Sequence, residues 1–219
     1  MPDDSTPAKR EKLLARKAEW AESGRGLTGA HADPARDRLP PGQHLTRDWP
    51  VLDLGEQPAV DPAAWRLHVD GTVERRLELS LPALLALGQT DSVSDMHCVT
   101  TWSRYDNHWR GVSARTLIEA AGVLPDTRHV ILHSHDGYTT NMRLDQFDQP
   151  DVLLVHEWEG QPITRQHGGP VRVLVPRLYL WKSAKWVRRI QFAPADHQGF
   201  WETRGYSNNA DPWAEERYS

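Results

Sequence analysis

The feature that most constrains the fold is a series of short hydrophobic segments, separated by polar stretches that contain Gly, Pro or Asp. Each segment is rich in Val, Leu or Ile and is too short for a typical helix, so each predicts a β-strand. The segments are WRLHVDG (65–71), HVILHSH (129–135), DVLLVHEW (151–158), PVRVLVP (170–176) and WVRRIQF (186–192). A chain of this kind has to bury several strands together in sheets.

Two further segments predict short helices. In RLELSLPALLAL (76–87) a short strand leads into a helix, with Ser80 as the N-cap and Pro82 in the first turn. In GVSARTLIEAAGV (111–123) Ser113 caps a second helix, which Gly122 ends. Many strands and few, brief helices predict an α+β domain with a β-rich core of mixed sheets.

The domain organisation follows from a change in composition near residue 39. Residues 1–38 are charged and rich in Gly and Pro, which predicts a partly extended arm, with a short helix over 8–22. Residues 39–219 predict one folded domain, a size that a single core supports.

Charge and cysteine content exclude several classes of protein. The formal net charge is -4, so we expect no general binding of nucleic acid. Cys98 is the only cysteine, which excludes an intrachain disulfide. The N-terminus has no apolar signal segment, and no stretch is long enough to cross a membrane, so we predict a cytoplasmic protein.

Cys98 lies in the polar stretch SDMHCVTTWS (94–103). A single cysteine in such a segment leaves three interpretations open. It could be a small buried residue, a nucleophile or a metal ligand. A nucleophile needs a base, and His97 is poorly placed because adjacent residues of a strand point to opposite faces. A zinc site is disfavoured because there is no second cysteine at ligand spacing.

A second candidate site follows the sequence QHGGPVRVLVP (166–176), in which Arg172 projects to one face of its strand. Soon afterwards come four cations within eight residues: Lys182, Lys185, Arg188 and Arg189. They indicate either a solvated basic edge or an anion site, in which the Ser183-Ala184 turn and Lys185 hold a phosphate. No nucleotide-binding glycine motif is present, so such a phosphate would belong to another kind of ligand.

Taken together, these motifs resemble the sulfite-oxidase family of molybdenum–pterin oxidoreductases. The segments that carry the resemblance are DMHCVTTWS with WRGV after it, HGGPVRVLVP, WKSAKWVRRIQF and GFWETRGY. They extend from about Leu39 to the C-terminus, in the family's order and spacing. The chain is most similar to the small bacterial sulfite oxidase-like oxidoreductases, and the resemblance implies their molybdopterin-binding fold.

The resemblance implies molybdenum-molybdopterin as the cofactor and Cys98 as the protein's thiolate ligand to the metal. One protein sulfur suffices there because the pterin dithiolene supplies two more. The same resemblance assigns pterin and phosphate contacts to Ser134, His167, Arg172, Ser183, Ala184 and Lys185. The resemblance also implies that Arg47 and Tyr206 are catalytic residues at the reacting centre. Arg47 is expected to contact the cofactor as well.

The implied activity is two-electron oxygen-atom transfer on a small substrate, with electrons exchanged with an external partner. The substrate class stays open between a sulfite-like anion and an S- or N-oxide. Trp49 stands near the place where sulfite oxidases carry a histidine. Two alternatives are a non-catalytic protein that binds or carries molybdopterin and a cysteine–histidine hydrolase.

Overall fold

In the computed structural model of the protein, residues 38–219 are described, and before them only Glu11 and Ala15, both in helical backbone. Most of the predicted N-terminal arm and its helix therefore lies outside the described residues. Within the described residues, no helix is long and apolar enough to cross a membrane.

The first sheet has six strands and carries Cys98 at the end of one of them. Strand β5 pairs with β1, β4 and β8, and β8 pairs in turn with β9 and β10; the β1–β5 pair is parallel and the others are antiparallel. The strands are β1 (His44–Leu45), β4 (Thr90–His97), β5 (Trp102–Ser113), β8 (Leu153–Trp158), β9 (Gln161–Pro162) and β10 (Arg172–Leu174).

The second sheet has five strands in the order β3-β2-β11-β6-β7. Strands β2 and β11 are parallel, and the other neighbours are antiparallel. The strands are β2 (Arg66–Gly71), β3 (Leu77–Ser80), β6 (His129–Ser134), β7 (Thr139–Arg143) and β11 (Val187–Ala193). Both sheets contribute to one cluster of buried hydrophobic side chains, which includes Val69, Leu132, Leu154 and Val173.

Helices are few and short, as the sequence predicts. Within residues 38–219 the α-helices are α1 (Leu81–Leu85), α2 (Ala114–Ala121) and α3 (Leu144–Phe147), and short 3₁₀ helices lie at Arg165–His167, Leu180–Lys182 and Glu202–Arg204. The side chain of Ser80 accepts a hydrogen bond from Ala83 N and caps α1. Gly122 ends α2 in the left-handed conformation that favours glycine, with φ of 63°. The α+β fold class with mixed sheets is therefore confirmed.

The structure differs from the sequence-based prediction in two ways. Strands β4, β5 and β7 have no predicted counterpart, because their polar sequences lack a clear hydrophobic alternation. The segment 170–176 does alternate, yet Arg172 is as buried as Val171 and Val173. Both faces of β10 are therefore buried, and the charged Arg172 side chain is enclosed on one of them.

The C-terminal segment packs against the domain although its sequence has no periodicity. Trp201 and Tyr206 are buried, and Tyr206 forms an isolated bridge with Tyr218. The aromatic side chains of this segment therefore contribute to a wall of the site described next.

Candidate active site

A cavity of about 120 Å³ brings together residues that are far apart in the sequence. Six of the predicted site residues line it: Cys98, Ser134, Arg172, Ser183, Lys185 and Tyr206. Aromatic side chains form much of the remaining wall, namely Trp102, Tyr138, Trp181, Trp186 and Trp201. The predicted thiol and the predicted anion-binding groups thus share one cavity.

Cys98 follows β4 at the start of a tight turn into β5. Its N–H donates to Trp102 O at 2.8 Å, and its carbonyl accepts from Thr101 N at 3.0 Å and from Gln43 Nε2 at 3.1 Å. Thr101 has a positive φ of 73°, which is rare for a residue other than glycine. The main chain on both sides of the sulfur is therefore held firmly.

The Cys98 side chain is 5% exposed, and its sulfur lies 3.1 Å from Thr100 Oγ1. A thiolate sulfur can only accept, so Thr100 is the donor when Cys98 is ionised. The neighbouring His97 forms its hydrogen bond with Ser103 Oγ, at 2.8 Å. Burial lowers the pKa of His97 to about 4, against an opposing effect of Asp95. His97 is thus held as a neutral group with its own partner, as strand alternation indicated.

Arg172 is enclosed in the cavity wall with 3% of its surface exposed. Its guanidinium donates to His167 O at 2.9 Å and to Ser183 O at 2.8 Å. No carboxylate in residues 38–219 lies within ion-pair distance of it. Burial lowers the pKa of Arg172 to about 10, so the group stays charged at neutral pH. A buried cation whose hydrogen bonds within residues 38–219 all go to carbonyl oxygens is suited to a bound anion.

His167 lies beside Arg172, stacked on Trp49 with the ring centroids 4.0 Å apart. Burial, followed by the charges of Arg172 and Lys185, lowers the pKa of His167 to about 4. Its Nδ1 is buried without a hydrogen-bond partner in the described part of the chain. His167 and Ala184 are buried but do not line the cavity themselves.

The predicted phosphate turn is held to the strand that carries Arg172. Ser183 Oγ accepts from Val175 N at 2.9 Å, and Lys185 Nζ donates to Gln166 O at 2.7 Å. Gly168 makes this approach possible, because an added Cβ would lie 2.8 Å from Lys185 Cβ, and its φ of 104° favours glycine. The Gly-Gly-Pro segment and the Ser-Ala-Lys turn therefore form one unit.

The four-cation cluster predicted from the sequence is divided by the fold, and only Lys185 lines the cavity. Lys182 is fully buried and pairs with Glu202 at 2.6 Å. Arg188 donates to Ser134 O at 3.1 Å, and Arg189 pairs with Asp70 at 2.8 Å. The four cations therefore do not form a single basic edge, because a tight turn and strand alternation send these side chains in different directions. The other interpretation, an anion site made by Lys185 and the Ser183-Ala184 turn, stays a prediction.

Of the two predicted catalytic residues besides Cys98, the structure brings one to the cavity. Tyr206 lines it, and burial raises the pKa of its phenol, with Tyr218 and Cys98 adding to the shift, so it remains a donor. Arg47 is exposed and is not among the residues that line the cavity. Its catalytic and cofactor-binding roles stay predictions.

Buried polar atoms without partners indicate what the cavity accepts. Within residues 38–219, Ser134 Oγ and Trp102 Nε1 belong to residues that line it, and both atoms lack a hydrogen-bond partner. Together with Arg172, they suit a polar, anionic ligand with several acceptor atoms. Trp102 and Thr100 were missed by the sequence-based prediction, although both lie within four residues of Cys98.

Comparison with known proteins identifies the family. The sequence profile of the family described as "Oxidoreductase molybdopterin binding domain" matches residues 54–201, about two thirds of the chain. The chain belongs to this family. As a molybdopterin-binding oxidoreductase of the sulfite oxidase family, it is an enzyme whose cofactor is molybdenum-molybdopterin, as the resemblance implied.

The relatives of this molybdopterin-binding oxidoreductase span several activities. It is 45% identical over 183 residues to "Uncharacterized oxidoreductase YuiH" of Bacillus subtilis, covering 83% of this chain and 92% of the relative. It is 29% identical to chicken sulfite oxidase, covering 68% of this chain and 39% of the relative. It is 26% identical to the catalytic subunit MsrP of a Campylobacter jejuni protein-methionine-sulfoxide reductase, covering 68% of this chain and 57% of the relative.

A solved structure shares the fold of this oxidoreductase. It is the sulfane dehydrogenase SoxCD of Paracoccus pantotrophus, with a TM-score of 0.59 and 20% sequence identity. The match covers 64% of this chain and 41% of that chain. The chain thus spans about half or less of the sulfite oxidase and sulfane dehydrogenase that it matches.

Proposed function

We propose that this protein catalyses two-electron oxygen-atom transfer on a small substrate, either a sulfite-like anion or an S- or N-oxide, with Cys98 as the protein ligand to molybdenum. The observation that carries the proposal is the shared cavity: the only thiol of the chain lines the same space as Arg172 and Lys185. When bound, the cofactor supplies the metal centre at which two electrons and an oxygen atom are exchanged.

The residues fit the cofactor at both of its chemical ends. A thiolate from Cys98 is a soft ligand, and a bound metal favours the ionised form of such a group. Arg172 and Lys185 are the two cations that line the cavity in the described part of the chain, and they are suited to the phosphate. Ser134 and Ser183 add hydroxyl groups to the same wall.

The remaining protein groups orient the ligand and exclude water. His167 supports Arg172 through its carbonyl oxygen and through Trp49, which stacks on its ring and lies 5.2 Å from the guanidinium carbon. Tyr206 keeps its proton, and its phenol, which also shares a hydrogen bond with the Tyr218 side chain, is proposed to donate to an oxygen in the cavity. Arg47 is proposed to attract the substrate from the protein surface.

Electrons have to enter or leave through a separate redox partner, which we propose to be an external one-electron carrier. For an S- or N-oxide the balance is one substrate, two electrons and two protons, giving the reduced compound and one water. For a sulfite-like anion the same exchange runs in reverse, with water as the source of oxygen. The proposal covers both reduction of an oxide and oxidation of a sulfite-like anion.

The test begins with elemental analysis of the purified protein for molybdenum and fluorescence of the oxidised pterin released on denaturation. We expect about one molybdenum per chain in the wild type and a large loss of redox turnover in Cys98→Ser, because an alcohol is a poor ligand compared with a thiolate. Val93→Ser in β4, the strand that precedes Cys98, is the control, since Val93 is 55% exposed.

Three results would contradict parts of this proposal. Full turnover in Cys98→Ser would remove the ligand assignment. Bound pterin with no change in metal oxidation state, on addition of any substrate or reductant, would favour a non-catalytic carrier. Alkylation of Cys98 by iodoacetamide in a protein without metal would favour a hydrolase.

A further inference from the structure

The turn that presents Cys98 also presents a buried hydrogen-bond donor that has no acceptor in the described part of the protein. Trp102 is 5% exposed and lines the same cavity as Cys98. Its indole Nε1 is buried and has no acceptor among the described residues. A buried donor without an acceptor has lost its hydration without gaining a hydrogen bond, which is unfavourable.

Among the described residues, Trp102 is the only tryptophan whose indole N–H is buried without an acceptor. Five other indole groups donate to protein acceptors: Trp65 to Val187 O, Trp109 to Ser94 Oγ, Trp158 to Asn107 Oδ1, Trp181 to Glu202 Oε1 and Trp186 to Arg165 O. Two of these five, Trp181 and Trp186, line the cavity as well. Lining the cavity is therefore compatible with an internal acceptor, and the lack of one at Trp102 needs its own explanation.

The position of Trp102 relative to the thiol is well defined. Its carbonyl oxygen accepts from Cys98 N at 2.8 Å, so the two residues face each other across the turn. Their strands continue as an antiparallel pair, in which His97 lies opposite Ser103. A ligand held by the Cys98 sulfur would consequently have the Trp102 side chain as a close neighbour.

We propose that the Trp102 indole N–H donates a hydrogen bond to the molybdenum cofactor beside Cys98, and that this bond helps to retain and orient the cofactor. The proposal rests on the proposed function, since it assumes that Cys98 holds the metal. An indole N–H is a donor only, so the partner atom is an acceptor, either an oxygen or a sulfur of the cofactor. Trp102 is then a cofactor-binding residue in addition to those predicted from the sequence.

The experiment compares Trp102→Phe with Trp186→Phe, each purified with and without cofactor. Both changes remove an indole N–H from the cavity wall, but only the Trp186 N–H has an internal acceptor, at 2.7 Å. The readouts are molybdenum retained after exhaustive dialysis and the midpoint of thermal unfolding in each state. Neither readout depends on a substrate.

We expect Trp102→Phe to retain cofactor about tenfold more weakly than the wild type, which corresponds to about 1.4 kcal/mol. Its unfolding midpoint without cofactor should change little, because an unpaired donor is removed. Trp186→Phe should instead lower the unfolding midpoint in both states, because Arg165 O then loses one of its two donors and keeps only Gly168 N.

A direct measurement on the wild type keeps the proposal testable if Trp102→Phe does not fold. In protein labelled with ¹⁵N-tryptophan, the Trp102 indole proton should move downfield on loading with oxidised, diamagnetic cofactor. The Trp65 signal, whose N–H donates to Val187 O, serves as the reference and should not move.

The outcomes separate this proposal from the proposed function. Wild-type protein without molybdenum would overturn both. Wild-type protein with molybdenum, together with unchanged retention in Trp102→Phe or an unmoved Trp102 indole signal, would overturn only the role of Trp102.

Discussion

Arg172 and Lys182 are both buried cations in the region that the sequence marks as basic, and the protein treats them differently. The Lys182 ammonium is fully buried and donates to Glu202 Oε1 and to Asn141 O, each at 2.6 Å. Arg172 has no carboxylate beside it in residues 38–219 and contacts main-chain carbonyl oxygens instead. One charge is neutralised inside the protein, and the other remains for a ligand.

The surroundings of Lys182 explain its structural role. Glu202 Oε1 also accepts from Thr140 Oγ1 at 2.8 Å and from Trp181 Nε1 at 3.1 Å. Burial lowers the pKa of Lys182, while the charge of Glu202 opposes that shift. The pair therefore ties the C-terminal segment to β7 and fixes Trp181, whose ring lines the cavity. The comparison teaches that a buried cation marks a ligand site only where the protein supplies no anion.

The largest effect should follow from breaking the internal pair. Lys182→Met leaves the Glu202 carboxylate buried without its cation, so the free energy of unfolding should fall by about 3–5 kcal/mol. Urea unfolding of the protein purified without cofactor measures this loss. The double variant Lys182→Met with Glu202→Gln should recover most of it, because neither member of the buried pair then carries a charge. A loss below about 1 kcal/mol in the single variant would contradict the structural role.

A smaller and different effect is expected at Arg172. Arg172→Met should lower the molybdenum content of the purified protein by about tenfold, which corresponds to about 1.4 kcal/mol of cofactor binding. Arg172→Lys keeps the charge but loses the bidentate fork, so its content should be intermediate. In protein without cofactor, either change should affect the unfolding free energy by less than Lys182→Met does. Wild-type molybdenum content in both variants would contradict the claim that Arg172, unlike Lys182, serves to bind the cofactor.

The smallest effect concerns His167, which adds a titratable group beside Arg172. Its pKa is about 4 in the folded protein, below the ordinary value of 6.5. A histidine with a lowered folded pKa contributes stability above its unfolded pKa, and this is lost as the pH falls toward the folded value. Between pH 7 and pH 5.5 the loss should be about 1 kcal/mol.

The measurement for His167 is the difference in unfolding free energy between these two pH values, without cofactor. His167→Phe keeps a ring for Trp49 to stack on and should show a smaller pH-dependent loss than the wild type. An equal loss in both proteins would show that other histidines account for the acid sensitivity. His97 is the first of these to examine, because burial lowers its pKa to about 4 as well.

Much of the fold could be predicted from local sequence. The strands rich in Val, Leu and Ile lie where their sequences predict them. The two capped helices begin after Ser80 and Ser113, and the second ends at Gly122, because caps act through neighbouring residues. Strands β4 and β5 could not be predicted in this way. Their polar residues are held by pairing with each other and with β8, which local propensity does not report.

The candidate site likewise has features that the sequence predicts and features that only the tertiary structure reveals. The sequence by itself determined which residue types are available: one thiol, a Gly-Gly-Pro segment followed by Arg172, and a Ser-Ala-Lys turn, in the order typical of a molybdopterin-binding oxidoreductase. Only the tertiary structure decided which cations reach the cavity, since Lys185 lines it while Lys182 is paired with Glu202. The tertiary structure also decided that the Trp102 N–H has no acceptor within residues 38–219. The physical reason is that burial and pairing depend on strands that are distant in sequence, whereas motifs depend on neighbours along the chain.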